Sequence, residues 1–167
     1  MYIIRPITLT DENFLWQMLY EAAHLSAENK TIQDAMNHPE LRKYVENWGQ
    51  KSDLGFVAAL AKNYQPVGAA WLRLFTGNNQ GYGYINDQIP ELAIAVLPEY
   101  RNQGIGTQLL THLINAAKTN YPAISLSSRS SNPALNLYQR FGWQVIEGSE
   151  KINRVEGISL TMKLNLQ

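Results

Sequence analysis

Arg101, Gly104 and Gly106 lie in the run Val96-Leu97-Pro98-Glu99-Tyr100-Arg101-Asn102-Gln103-Gly104-Ile105-Gly106-Thr107, the segment best suited to chemistry on a ligand. Two glycines with one residue between them lack Cβ atoms, so the backbone can approach a ligand closely and turn its N–H groups outward. The apolar residues that follow recur at helical spacing. The first turn of such a helix carries N–H groups with no intrahelical partner, at the positive end of the helix dipole. Phosphate oxygens suit that place. A P-loop fits badly, because Gly106 is followed by Thr107 and Gln108 with no lysine. A dinucleotide fingerprint fits badly too, since Leu109 stands where its third glycine or alanine belongs and no acidic residue follows about 20 positions on, so nucleotide binding by an α/β domain is a distant third reading.

Positioning this loop requires a strand before it and a helix after it. Leu92 to Leu97 is a nearly continuous apolar run, the pattern of a strand covered on both faces. Ile105, Leu109, Leu110, Leu113, Ile114 and Ala117 mark one helical face. Upstream, Tyr2 to Ile7 predicts a first strand. Thr10 or Asp11 then caps a helix that runs to about Leu25. Thr31 opens a second helical region. Pro39 interrupts it, and Leu41, Tyr44, Val45 and Trp48 resume the period. Phe56–Ala61 and Val67–Leu74 form two strands joined by an Asn63–Pro66 turn. Ala123–Ser127 is a further strand. Asn132-Pro133 reads as an N-cap and first helical residue, and Gly142 ends that helix. Trp143–Ile146 and Gly157–Leu164 complete the strands.

A chain of 167 residues is most simply one domain, 1–167. Fourteen basic and fourteen acidic residues balance, so no global field recruits nucleic acid or an anionic membrane. The absence of cysteine excludes disulfides, thiolate metal sites and a cysteine nucleophile. His24, His38 and His112 share no metal-ligand spacing, so no metal is expected. No apolar stretch reaches the roughly 18 to 20 residues of a membrane span, and the first residues lack a signal-peptide pattern. A cytoplasmic location is the expectation.

Arg-x-x-Gly-x-Gly after a Val-x-Pro-x-Tyr turn resembles the coenzyme A loop of the GNAT superfamily, the acyl-CoA-dependent N-acetyltransferases. The order β-α-α-β-β-β-α-β-α-β-β resembles that fold over nearly the whole chain. The likeness is strongest from Glu91 to Val145 and weakest in the first 50 residues. It implies a mixed α/β (α+β) fold, with a mostly antiparallel sheet of about seven strands, a splayed parallel pair and about four helices. It also implies that Ile94, Ala95 and Val96 are the backbone edge for pantetheine. Arg101, Asn102, Gln103, Gly104, Ile105 and Gly106, with Thr107 just beyond, would cradle the pyrophosphate.

The block Asn132-Pro133-Ala134-Leu135-Asn136-Leu137-Tyr138-Gln139-Arg140-Phe141-Gly142-Trp143 is similar to a second family motif. Asn132 and Tyr138 match its two CoA-contacting positions. Read by themselves, Asn132 is a helix cap and Tyr138 is a packed aromatic. The resemblance adds a role for Tyr138, protonation of the departing thiolate. A phenol near pKa ~10 and a thiol near ~8.5 make that transfer an expected step. The attacking amine must lose a proton, and Glu91, at the start of the central strand, is the implied base. By itself Glu91 is an exposed strand-end carboxylate. Asp87 is the fallback base, and Glu99 is read as solvent-facing.

The function implied is acetyl-CoA-dependent transfer of an acetyl group directly to an amine. A non-catalytic CoA-binding or regulatory domain of the same fold is the alternative. The acceptor stays open among small amines, peptides and proteins, and a homodimer fits the class.

Overall fold

The computed structural model describes residues Met1–Gln167. The chain forms two compact units, Met1–Arg73 with Ala93–Ala116, and Leu74–Leu92 with Ala117–Gln167. Its eight strands are mostly antiparallel and include one parallel pair, the mixed α/β class expected.

In the first unit β1 (Tyr2–Pro6), β2 (Leu54–Leu60) and β3 (Pro66–Arg73) pair antiparallel in that order, and β4 (Glu91–Val96) neighbours β3. Helices α1 (Glu12–Ala22), α2 (Ile32–Asn37) and α3 (Pro39–Arg42) lie between β1 and β2 in sequence, and α4 (Ile105–Ala117) follows β4. The buried helical faces are those predicted, but α1 stops at Ala22 rather than Leu25, because His24 turns left-handed (φ +56°) and a separate 3₁₀ turn, Leu25–Glu28, follows. Leu15, Trp16, Met18 and Leu19 are buried from α1, and Ile105, Leu109, Leu110 and Leu113 from α4.

Asp11 does not cap α1 with its side chain. Its carboxylate accepts two hydrogen bonds of 2.8 Å from Arg5 and one of 2.8 Å from the Thr8 N–H. The Arg5 guanidinium holds that carboxyl below the usual range. A short 3₁₀ turn, Leu9–Asp11, therefore precedes the helix.

The second helical region is also shorter than its period suggests. Tyr44, Val45 and Trp48 are buried as predicted, but they lie beyond the end of α3. Arg73 accounts for this. Its Nη1 donates to the carbonyls of Lys43 (2.9 Å) and Glu46 (2.6 Å), so those groups need no helical partner. Its Nε and Nη2 grip the Asp53 carboxylate at 3.0 and 2.9 Å, and the Trp48 ring lies 5.5 Å from its guanidinium carbon. Both ionic side chains are almost fully buried. Removing one partner from such a pair costs about 3–5 kcal/mol, because the other charge is left buried alone.

In the second unit the start of β4 places Glu91 opposite Ser125 in parallel register, and the Ser125 N–H donates to the Pro90 carbonyl at 2.9 Å. β5 (Ala123–Arg129) pairs antiparallel with β8 (Ile158–Asn165). Two short strands, β6 (Gln144–Val145) and β7 (Lys151–Ile152), pair with β8 as well. β6 is shorter than the Trp143–Ile146 expected, and β7 was not predicted.

Helix α5 (Leu135–Phe141) starts two residues after Pro133, because Asn132 closes a turn instead. The Asn132 Oδ1 accepts the Ala134 N–H at 2.9 Å, and the Asn132 carbonyl accepts the Leu135 N–H at 3.1 Å. Gly142, at φ +109°, ends the helix as predicted.

Candidate active site

The first unit carries the anion loop. After β4 the chain turns through Pro98–Tyr100 and reaches Arg101 in extended backbone. Asn102 (φ +62°) and Gly104 (φ +82°) then adopt left-handed conformations on either side of Gln103. Alternation of this kind turns successive N–H groups toward one concavity, which favours an anion. A Cβ built on Gly104 meets nothing within 4 Å, so the backbone faces open space there. The first hydrogen bond of α4 runs from the Gln108 N–H to the Gly104 carbonyl at 3.2 Å. The N–H groups of Ile105, Gly106 and Thr107 thus precede the helical ladder and have no partner within it. This geometry suits a phosphate-bearing ligand.

The Arg101 side chain is directed elsewhere. Its Nε donates to the Val96 carbonyl at 3.0 Å and its Nη2 to Glu21 Oε1 at 3.1 Å. The Tyr2 hydroxyl donates to the Gln103 side chain. These contacts join Val96, Arg101 and Gln103, all predicted site residues, to α1 and β1. Ala93, Ile94, Ala95 and Val96 are half-buried while Leu92 and Leu97 are buried. The strand is therefore not covered on both faces, as its apolar run suggested. Leu97 donates its N–H to the Val67 carbonyl at 2.8 Å, which fixes the end of β4 on β3.

The second unit holds the remaining candidates. Tyr138 lies on α5 with its ring edge-on to Trp143, centroids 6.0 Å apart. The Trp143 indole is locked by donation to the Ile124 carbonyl at 3.1 Å. Tyr138 is only 7% exposed, and burial pushes its phenol up to about 12. Asn132 sits in the turn that opens the same helix.

Glu91 is 3% exposed, so it is not the exposed strand-end carboxylate of the plain reading. Its Oε1 accepts the Gly83 N–H at 3.0 Å. Gly83 is held against β5. A Cβ on it would fall 2.8–2.9 Å from the backbone of Leu126 and Ser127. Only glycine allows the loop to lie this close.

Asp87, the fallback base, accepts the Tyr84 hydroxyl at 2.5 Å and the Gly77 N–H at 3.0 Å. The Tyr84 bond and then the Gly77 bond hold its pKa below the ordinary range, which makes it a poor proton acceptor. Glu99 is exposed, as expected. Sequence reasoning missed Glu21 and Gly83. Neither carries a motif, and the Glu21–Arg101 pair spans 80 residues.

A family model described as the acetyltransferase (GNAT) family matches residues 16–143. The chain is 34% identical over 99 residues to N-alpha-acetyltransferase 50 of Danio rerio, a match covering 57% of this chain and 55% of that protein. It is 40% identical over 77 residues to an N-alpha-acetyltransferase of Sulfurisphaera tokodaii, covering 40% of this chain and 46% of the other. The chain thus spans about half the length of these curated relatives. Among solved structures, the yncA protein of Salmonella typhimurium, determined with its cofactor acetyl-CoA, has TM-score 0.68 and 18% identity. That likeness covers 99% of this chain and 94% of the other.

Proposed function

The chain belongs to the GNAT acetyltransferase family, and from that premise we propose that it is an acetyl-CoA-dependent N-acetyltransferase acting on an amine. The observation that carries this reading is the concave run of N–H groups at Asn102–Thr107, open at Gly104, at the head of α4. Acetyl-CoA supplies an activated thioester. The N–H groups of Gln103 to Thr107 hold its pyrophosphate. The backbone of Ile94, Ala95 and Val96 receives the pantetheine arm, and its N–H groups polarise the thioester carbonyl.

Glu91 takes the proton that the amine must lose, either directly or through a water. The amine nitrogen then bonds the thioester carbon to give a tetrahedral intermediate, which collapses as the carbon–sulfur bond breaks while the nitrogen gives its second proton to water. Tyr138 protonates the sulfur of the departing thiolate and regains its proton from solvent. Burial raises the phenol, and the same surroundings raise the thiol beside it, so both acids shift in one direction. Asn132, at the head of the same helix, is the second CoA contact on that side of the sequence.

A thiol-release assay with acetyl-CoA across a panel of amines tests the reading. The panel includes peptides with free α-amines, the group named in the relatives' descriptions. Release that depends on an amine supports the enzyme. Tight CoA binding with no release under any amine supports the non-catalytic domain instead. The single domain 1–167, a cytoplasmic location and a homodimer belong to the same proposal. A cysteine-free chain needs no oxidising compartment.

A further inference from the structure

The Arg101 guanidinium has five N–H donors, and the two that point at partners point into the protein, toward the end of β4 and toward α1. Glu21 lies in the last turn of α1, and its side chain is 14% exposed against 49% for Arg101. The positive charge of Arg101 is matched there by a carboxylate, so the pair adds little net field at the anion loop. The loop itself needs a firm frame. Left-handed residues stand on either side of Gln103, at Asn102 and Gly104, and an L-residue such as Asn102 adopts that region at some cost.

From this arrangement we infer that Glu21 is a positioning residue of the cofactor loop. It holds Arg101 as a brace between Val96 and α1, and the phosphates are met by backbone N–H groups rather than by the guanidinium. The inference rests on the function proposed above for its link to coenzyme A, but the brace itself is a property of the free chain. It ties the carbonyl end of the pantetheine edge and the first residue of the anion loop to one carboxylate. The register between these two parts of the cofactor site is then set from α1. Tyr2 on β1 adds a second hold through Gln103.

The test has a ligand-free part and a ligand part. Amide hydrogen exchange in Glu21→Ala and Glu21→Gln is expected to speed up roughly two- to five-fold at the hydrogen-bonded amides that frame the loop, Tyr100, Arg101 and Gln108, the range for a partly exposed ion pair. Exchange in β2 and at Leu109–Leu113 stays as in the unaltered chain, which separates a local brace from general destabilisation. Arg101→Gln gives the same local effect, and the double variant adds nothing further. Unchanged loop exchange in both Glu21 variants, or additive losses in the double variant, overturns the inference.

By calorimetry the Kd for CoA rises by the same factor in Glu21→Ala, and its dependence on salt is unchanged. Tighter CoA binding in that variant would make Glu21 a competitor for Arg101 and also overturns the brace. An exchange effect in a chain that takes no CoA supports the brace and defeats the proposed function alone.

Discussion

At the residue scale, Tyr138 separates two kinds of help that a phenol can give. General acid catalysis is worth about 10²- to 10⁴-fold, so Tyr138→Phe is expected to lower kcat by such a factor with the KM for acetyl-CoA little changed. A smaller fall, roughly 10- to 150-fold in single-turnover measurements, would make Tyr138 a hydrogen-bond donor that keeps its proton, and nearly full kcat would leave it as a packed aromatic. Because burial raises this phenol from 10.0 to about 12, the neutral form is favoured in the folded chain. Its contribution to stability is complete below pH ~10 and is lost as pH rises toward 12. Glu91→Gln tests the base. The expected result is a depressed kcat/KM at neutral pH that partly recovers as pH nears the amine's own pKa, where free amine is available without help. A uniform loss across pH would instead leave Glu91 as the holder of the Gly83 loop. These two side chains stand out in the sequence only as candidates, and their surroundings do not show there at all. Glu91 is buried by a glycine contact with β5, and nothing in a run of glycines and tyrosines announces that contact.

At the scale of elements, the anion loop and its flanking strand and helix follow local rules, and local rules are what a sequence displays. Gly104→Val checks the loop directly. At φ +82° a β-branched residue is strained, although a Cβ there meets no neighbour. The loop must therefore rearrange, and CoA affinity is expected to fall at least 10-fold by calorimetry while the thermal midpoint moves little. Unchanged affinity would remove this loop from the cofactor site. Elements held by distant partners were misread in extent. The period through Tyr44, Val45 and Trp48 correctly marked burial, but Arg73 takes up the carbonyls of Lys43 and Glu46, which a helix would have used. Asn132-Pro133 carried a helix-start signal and produced a turn two residues early. The short strand β7 lies in a stretch of mixed charge with no alternation to reveal it.

At the scale of the molecule, the chain crosses between its two compact units after Arg73, after Leu92 and after Ala116. One crossing falls within β4 and another one residue before the end of α4. Neither unit is a continuous stretch of chain, and splitting either element would break its hydrogen-bond ladder. A single domain is therefore proposed. Thermal unfolding followed by far-ultraviolet and near-ultraviolet circular dichroism is expected to give coincident transitions. Two separated transitions would divide the chain into independent folding units. Composition displays the balance of charge but not this interleaving, which depends on pairings far apart in sequence.

Trp143 also gives the second unit a native optical probe. Trp16, Trp48 and Trp71 all belong to the first unit, so Trp143 is the one indole in the second. It is 1% exposed, immobilised by its bond to Ile124 and in edge contact with Tyr138. Its emission will respond to the polarity around that phenol, with no dye attached. With the other three indoles replaced by phenylalanine, the arrival of a thioester beside Tyr138 becomes a stopped-flow fluorescence signal, timed apart from the chemical step.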